Sequence, residues 1–199
     1  VINRIAKEIA ESELRTLIIV HGGGSFGHPL AKEYKIVEGY TTPEKAIGFS
    51  KTRQAMTALN KMIIDSFIQH SLPVVSVQPS ACIITRKGRI QKFDVTPVQR
   101  LLSMGFIPVL YGDAVLDMET GFTILSGDQL AAELAILFDA DRIVIAVDVD
   151  GLFTEDPKSN PYAKLMEEVS LSELKVFLGR ISGARTVDVT EGMRGKITE

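Results

Sequence analysis

The sequence lacks the features that mark secreted and membrane proteins. It has one cysteine, Cys82, among 199 residues, so it cannot form an internal disulfide, and a reducing compartment such as the cytoplasm is expected. No apolar run approaches the about 20 residues that a membrane-spanning helix needs. No charged segment followed by an apolar one opens the sequence either. We therefore expect a soluble, cytoplasmic protein without membrane insertion.

Charge of one sign is also scarce. The net charge is −3 at pH 7 and the isoelectric point is about 5.7, with acids and bases interspersed. A protein that binds nucleic acid needs a basic surface to neutralise phosphates, so nucleic acid is not an expected partner. Apolar side chains are plentiful at 45% of residues, which is enough for one sizeable core in a single domain.

Strands and helices alternate along the chain, which predicts the α/β class. Four short runs are apolar on both faces, as in the strands of a central, mostly parallel sheet. These runs are Thr16–Val20, Val74–Val77, Ile107–Tyr111 and Ile143–Val147. Two other stretches, Ala81–Lys92 and Ala114–Leu125, predict β-hairpins that turn near Gly88 and Gly121. In this class, ligands bind beyond the carboxyl ends of the strands.

The strongest local signal is a glycine-rich loop directly after the first predicted strand. Residues 21–28 read His-Gly-Gly-Gly-Ser-Phe-Gly-His. Glycine lets the backbone approach an anion closely, and unpaired N–H groups at a helix start favour phosphate oxygens. His28 can donate a hydrogen bond to phosphate and, when protonated, offset negative charge, whereas we expect His21 to be structural. The alternative is a tight turn that needs glycine only for its conformation, with His28 facing water.

Two fingerprints overlap in this loop. Gly22, Gly24 and Gly27 fit G-x-G-x-x-G, and Glu44 lies roughly 20 residues further on, so the loop alone leaves a dinucleotide-dependent oxidoreductase open. Gly22 and Gly27 also have the glycine spacing of a P-loop. However, His28-Pro29 replaces the Lys-Ser/Thr pair that would contact phosphate and magnesium, which excludes a P-loop.

Two later motifs carry charge where a nucleotide could bind. Asp148, Asp150 and Gly151 belong to D-V-D-G after the last predicted strand, where carboxylates can bind nucleotide hydroxyls or order a lysine. Residues 188–197 read D-V-T-E-G-M-R-G-K-I, a glycine loop before a predicted helix that carries Lys196. Its ammonium can follow charge during phosphoryl transfer. The alternatives are a polar strand exit and an ordinary solvated helix start.

The motifs together resemble one family. The glycine loop, Y-G-D at 111–113, S-G-D at 126–128, D-V-D-G and D-V-T-x-G-M-x-x-K occur in this order in the amino-acid-kinase superfamily. The glycine loop and Ser76-Val77-Gln78-Pro79-Ser80 are similar to those of archaeal-type isopentenyl phosphate kinases. The resemblance implies a three-layer αβα sandwich that usually forms a homodimer. It also implies that residues 1–199 are one domain that lacks the family's N-terminal strand and C-terminal region.

The resemblance further implies ATP-dependent phosphorylation of isopentenyl phosphate to isopentenyl diphosphate, with Mg²⁺ on the donor oxygens. The family's acceptor positions are matched by Gly23, His28 and Gly127, and we add Gly27 of the same loop. Its nucleotide positions are matched by Gly24, Asp148, Gly192 and Lys196, and we add Asp150, Gly151 and Phe153 of the D-V-D-G motif. His28 and Lys196 are the expected catalytic residues, and none is assigned to bind metal.

One departure from the family keeps alternatives open. Glu191 stands where the family usually has the first glycine of Gly-Gly-Met, and an acid that faces the phosphates of ATP would weaken binding. A nucleotide-binding protein without catalysis therefore stays possible, as does a kinase of this fold with a phosphonate or carboxylate acceptor. The isoprenoid tail needs an apolar slot, of which the helix carrying Phe49 and Phe67 could form one wall.

Overall fold

A computed structural model describes residues 1–12, 14, 16–147, 149–155, 160–175 and 191–199. The chain forms two compact units, Val1–Ala131 and Ala132–Glu199, and the expectation of a single domain stays a prediction. The helices are α1 (Ile2–Ala10), α2 (Gly24–Glu33), α3 (Pro43–Gln69), α4 (Pro79–Cys82), α5 (Thr96–Ser103), α6 (Gly127–Leu137) and α7 (Glu191–Thr198). The strands are β1 (Ile19–His21), β2 (Val74–Ser76), β3 (Ile83–Arg86), β4 (Arg89–Phe93), β5 (Ile107–Tyr111), β6 (Asp113–Asp117) and β7 (Gly121–Leu125).

A parallel sheet lies at the centre of the first unit. Its order is β1-β5-β2, so β5 is the middle strand. Four of the five residues of β5 are buried, as expected for a strand that is covered on both faces. Helices α1 and α3 cover one face, where Ala6, Phe67 and Val109 share one apolar cluster. Three of the four predicted strands are thereby confirmed.

The two predicted hairpins are confirmed in a second, mixed sheet of order β4-β3-β6-β7. Lys87 and Gly88 both have positive φ, 51° and 76°, which is the conformation that a two-residue hairpin turn needs. The buried carboxylate of Asp117 joins the two hairpins. It accepts hydrogen bonds from the backbone N–H of Gly88 at 2.9 Å and the hydroxyl of Thr85 at 2.9 Å. It also accepts from the two amides at 119 and 120.

The fourth predicted strand, Ile143–Val147, is wrong. Residues 142–147 have no regular secondary structure, and Val144 is 83% exposed. A strand of a parallel sheet needs a neighbouring strand for its backbone groups and helices to cover its side chains. Ile143 and Ile145 are exposed as well, so this apolar run lacks that cover. Apolar composition alone could not reveal this.

Among its described residues, the second unit contains the end of α6, one β-bridge and two further helical segments. The N–H of Thr154 donates to the carbonyl of Lys164 at 2.9 Å, and the N–H of Met166 donates to the carbonyl of Leu152 at 2.7 Å. Residues 171–175 are helical, and α7 is the helix predicted after the last glycine motif. No helix in the described part of the chain is both long and apolar enough to span a bilayer.

Candidate active site at the carboxyl ends of β1 and β5

The carboxyl ends of β1 and β5 lie side by side in the parallel ladder, where His21 pairs with Tyr111. The N–H of Gly112 donates to the carbonyl of His21 at 2.9 Å, which joins the segments that leave the two strands. The Y-G-D and glycine-loop motifs, about 90 residues apart in the sequence, therefore meet at this edge of the sheet. This is the edge at which an α/β protein binds its ligand.

The glycine loop passes directly into α2. Gly23 precedes the helix and Gly24 is its first residue. Gly24 has a φ of +45°, a conformation that favours glycine. The N–H groups of a first helical turn have no acceptor four residues earlier inside the helix, and the dipole adds partial positive charge there. A Cβ placed on Gly22 or Gly24 would meet nothing within 4 Å, so this side of the loop is open to a ligand.

The other side of the loop is closed by Met56, a residue of α3 that is only 2% exposed. A Cβ on Gly27 would lie 2.5 Å from the Met56 sulfur, and one on Gly23 would lie 3.2 Å from it. Neither position therefore has room for a larger side chain while Met56 keeps its place. The structure gives Gly23 and Gly27 a packing role, and their predicted contact with the acceptor stays a prediction.

His28 is exposed on α2, four residues after Gly24. Residues four apart lie on one face of a helix, so His28 lies on the same face of α2 as Gly24. Its Cδ2 atom lies 3.3 Å from the position of a Cβ on Gly23. His28 is therefore an exposed side chain beside Gly23, which agrees with the predicted phosphate contact and equally with a ring that faces water, so its role stays a prediction.

A second helix begins at the same edge. Ser126 caps α6, since its hydroxyl accepts from the N–H of Asp128 at 3.0 Å. A Cβ on Gly127 would lie 3.2 Å from the carbonyl oxygen of His21, which shows how closely the two backbones approach. The starts of α2 and α6 therefore converge on the ends of β1 and β5. Two helix N-termini beside one histidine form a site suited to phosphate.

Ser126 and Gln129 are spaced in the sequence as a capping box, in which the Gln129 side chain would bond to the N–H of Ser126, but this box is only half formed. The Gln129 side chain does not return to the cap. It accepts from the N–H of Ile90 at 3.1 Å and donates to the carbonyl of Gly88 at 3.1 Å. The Gln129 side chain therefore bonds to the backbone of the β3–β4 hairpin instead of to the start of α6. The hairpin's N–H of Ile90 and carbonyl of Gly88 need partners, and Gln129 satisfies both.

Asp113 explains the Y-G-D motif. Its buried carboxylate accepts from the N–H of Ser80 at 3.3 Å and lies 3.7 Å from Nε of Arg53. Burial raises the pKa of Asp113, and the contacts with Ser80 and Arg53 oppose that rise. The carboxylate thus links α3 and α4 to the segment that leaves β5. Arg53 also lines a groove of about 540 Å³ along α3, with Phe49, Ser50, Gln54, Thr57, Ala58 and Lys61.

Three residues of this region belong to none of the sequence motifs: Arg53, Met56 and Asn60. The signal that could have found two of them is the spacing of Thr52, Met56 and Asn60, which follow one face of α3 at intervals of four. Polar residues within a buried helical stripe need hydrogen-bond partners. The partner of Asn60, His21, is 39 residues away, and no local pattern identifies it.

The predicted nucleotide residues belong to the second unit, apart from Gly24. Asp150 is exposed, and Gly151 has a φ of +152°. A Cβ on Gly151 would lie 3.0 Å from Cδ1 of Leu165, the residue with which Phe153 forms a β-bridge. Lys196 lies on α7 and is partly buried.

Part of the nucleotide prediction falls on residues that the structure does not describe. Asp148 lies outside the described residues. The structure also does not describe the side chain of Glu191 or the surroundings of Gly192. Nucleotide binding by these residues and by the described ones stays a prediction.

Comparisons with known proteins agree with the motifs. The sequence profile of the amino acid kinase family matches residues 1–199. The isopentenyl phosphate kinase of Methanothermobacter thermautotrophicus is 38% identical over 205 residues, which cover 100% of this chain and 76% of that protein. An X-ray structure of isopentenyl phosphate kinase matches with a TM-score of 0.81 at 37% identity, over 89% of this chain and 74% of the other. The product complex of the T. acidophilum isopentenyl phosphate kinase matches with a TM-score of 0.78 at 35% identity, over 89% and 73%.

The chain therefore belongs to the amino acid kinase family. Its predicted α/β class, with a mostly parallel sheet and the amino-acid-kinase fold, is confirmed. Within the family, the proteins named above that it resembles are isopentenyl phosphate kinases. Family membership argues against the dinucleotide-dependent oxidoreductase that G-x-G-x-x-G alone left open.

Proposed function

We propose that this protein transfers the γ-phosphate of ATP to isopentenyl phosphate, which gives isopentenyl diphosphate and ADP. The observation that carries the proposal is the convergence of the α2 and α6 starts beside His28 at the ends of β1 and β5. Such a site holds phosphate through backbone amides. Similarity to isopentenyl phosphate kinases supports the choice of acceptor.

The chemistry asks little of the protein beyond alignment. A monophosphate acceptor is already a nucleophile, so no strong base is needed, and catalysis reduces to orientation and compensation of negative charge. Main-chain amides at two helix starts supply fixed partial positive charge. The exposed imidazole of His28 adds a hydrogen-bond donor that a phosphate arriving from solvent can reach.

We assign the acceptor phosphate to the space between the two helix starts, where Gly23, Gly27, His28 and Gly127 lie. The nucleotide is assigned to Gly24, Asp148, Asp150, Gly151, Phe153, Gly192 and Lys196, as the motifs predict. His28 and Lys196 are the proposed catalytic residues. Lys196 would stabilise charge on the transferring group as its bond to ADP breaks.

The isoprenoid tail needs apolar surface close to the phosphate. Phe49 of α3 lies against Phe122 of β7, with ring centroids 4.9 Å apart, and it also lines the groove along α3. This pair belongs to a buried cluster with Ile36 and Ala114. Phe49 therefore contributes apolar surface to the groove along α3, and we assign the hydrocarbon tail to this groove.

Magnesium, the dimer and the location are further parts of the proposal. Mg²⁺ is usually held by substrate phosphates, water and one or two carboxylates. We propose that the ion is held mainly by the triphosphate of ATP. When bound, the ion would neutralise charge on the donor oxygens. We also propose a homodimer that works in the cytoplasm.

An acceptor panel tests the function. The protein is assayed for ADP release with ATP and Mg²⁺ and with isopentenyl phosphate, glutamate or a small phosphonate as acceptor. We expect kcat/KM for isopentenyl phosphate to exceed that for glutamate at least about 100-fold, because a carboxylate leaves phosphate-binding donors unpaired. A carboxylate or phosphonate that equals isopentenyl phosphate would refute the assignment. Absence of ADP release with every acceptor would favour a nucleotide-binding protein without catalysis.

A further inference from the structure

A chain of polar contacts crosses the carboxyl ends of all three parallel strands. His21 ends β1, Ser76 ends β2 and Tyr111 ends β5. Asn60 of α3, which is 4% exposed, lies between the first two. Its amide contacts Nε2 of His21 at 3.2 Å and also contacts the Ser76 hydroxyl. The His21 ring stacks on Tyr111 with centroids 5.2 Å apart, and its Nδ1 lies 3.0 Å from the carbonyl oxygen of Gly22.

The protonation of this chain can be assigned from its partners. Burial lowers the pKa of His21, although its contacts with Gly22 and Asn60 oppose this, so the ring is neutral near pH 7. A neutral imidazole has one N–H, and a carbonyl can only accept. The Asn60 amide can present either its oxygen or its nitrogen, and the network decides which. The structure places the Asn60 oxygen toward Nε2 of His21 and the Asn60 nitrogen toward the Ser76 hydroxyl. With Nδ1–H of a neutral ring donating to Gly22, that orientation would set two acceptors, Nε2 and the amide oxygen, against each other. Turning the Asn60 amide over satisfies every group, because Nε2 then accepts from the amide nitrogen and the Ser76 hydroxyl donates to the amide oxygen.

The contact with Gly22 has a consequence for the neighbouring amide. The peptide bond is planar and trans, so the carbonyl of Gly22 and the N–H of Gly23 point in opposite directions. A carbonyl held toward the half-buried His21 ring turns the next N–H away from that ring. Glycine backbone is otherwise free to rotate, and ordering it before the ligand arrives lowers the cost of binding.

We propose that His21 is a positioning residue: its Nδ1–H form fixes the peptide between Gly22 and Gly23, so that the Gly23 N–H faces the acceptor phosphate. With its amide turned over, Asn60 selects this form by donating to Nε2, and Ser76 holds the amide by donating to its oxygen. The inference rests on the proposed function, because it concerns the acceptor side of the same site. It replaces the expectation that His21 only fills the structure.

Two substitutions separate the ring nitrogens. The amide of His21→Asn can reach the position of Nδ1 and donate to Gly22, whereas that of His21→Gln reaches the position of Nε2 and leaves the carbonyl without its donor. His70→Gln is the matched control, since Nε2 of His70 also contacts an asparagine, Asn3, at 2.8 Å but on an exposed surface. Melting temperatures of all three variants identify any general loss of folding.

Steady-state KM values for the two substrates should then distinguish the three variants. We expect His21→Gln to raise the KM for isopentenyl phosphate about tenfold, while the KM for ATP stays within about twofold, since only acceptor binding depends on this amide. His21→Asn should stay within about threefold of the wild type for both substrates, and His70→Gln should match the wild type. A merely structural role would raise both KM values or neither. Equal effects of the Asn and Gln substitutions would overturn the proposal.

Nuclear magnetic resonance tests the inference without turnover. We expect ¹⁵N spectra of the wild-type protein to show His21 neutral near pH 7 with its proton on Nδ1. Addition of inorganic phosphate should shift the Gly23 amide resonance in the wild type and in His21→Asn, but much less in His21→Gln. A proton on Nε2, or a phosphate response that ignores the substitution, would refute the positioning role. If the wild type fails to phosphorylate isopentenyl phosphate while these spectra hold, the function falls and the positioning role stands.

Discussion

Gly27 offers a test in which packing and helix propensity predict opposite signs. In an open helix interior, Gly→Ala stabilises by up to about 1 kcal/mol. Here the added Cβ would lie 2.5 Å from the sulfur of Met56, and Met56 is enclosed by the core. Overpacking of this kind costs about 1–3 kcal/mol. We therefore expect Gly27→Ala to reduce the free energy of unfolding by about 1 kcal/mol.

The reasoning is checked by urea unfolding in two backgrounds. Met56→Ala removes the sulfur, so adding Gly27→Ala to it should stabilise the protein by about 0.5–1 kcal/mol. Gly195→Ala is the control, because Gly195 lies inside α7 and a Cβ there would meet nothing within 4 Å; it should stabilise the wild type by a similar amount. If Gly27→Ala stabilises the wild type as much as the Met56→Ala background, the close packing under the loop is refuted.

Two further predictions concern catalysis and acid stability. His28→Ala should lower kcat/KM at least about tenfold, the effect of one lost charge-assisted contact of about 1.4 kcal/mol or more, with His70→Ala as the control; unchanged steady-state turnover would remove His28 from the mechanism. Asp117→Asn should cost about 3 kcal/mol in urea unfolding, because an amide has one acceptor oxygen where the carboxylate has two and two hydrogen bonds to a charged group are lost. Although burial opposes it, hydrogen bonds from the amides of Gly88, Thr120 and Glu119 and from the Thr85 hydroxyl lower the pKa of Asp117. The stabilisation that the ionised Asp117 provides is therefore complete above about pH 4 and is lost as the pH falls toward the folded-state pKa. Asp117→Asn should therefore lose less of its free energy of unfolding than the wild type between pH 4 and 2. Equal losses would contradict this.

Local signals in the sequence were sufficient for much of the fold. The turn at Lys87 and Gly88 and the cap at Ser126 depend on residues within a few positions of each other, and both are present in the structure. The Ile143–Val147 prediction failed because a strand also needs partners, which its own letters do not encode. The spacing of Ser126 and Gln129 was misleading for the same reason, because the Gln129 side chain bonds to Gly88 of a distant hairpin and not to the start of its own helix.

The sequence indicated which motifs belong to the candidate site, but it did not indicate how the motifs are arranged in space. Glycine spacing and His28 indicated the end of the sheet at which we propose that phosphate binds. The contacts that hold this end join residues far apart in the chain, as between Asn60 and His21 or between Arg53 and Asp113. Polar groups inside a core must find partners, but which partner they find depends on the packing of α3 over the strand ends.

When main-chain amides hold an anion, few side chains contact it, so few substitutions can change which ligand the site prefers. The glycine loop offers its open side to the ligand through peptide groups that every residue type shares, and its far side rests on the flexible thioether of Met56. Changes in acceptor preference should therefore be sought at Met56, where a differently shaped side chain would shift the loop through the two glycines that pack on it, Gly23 and Gly27.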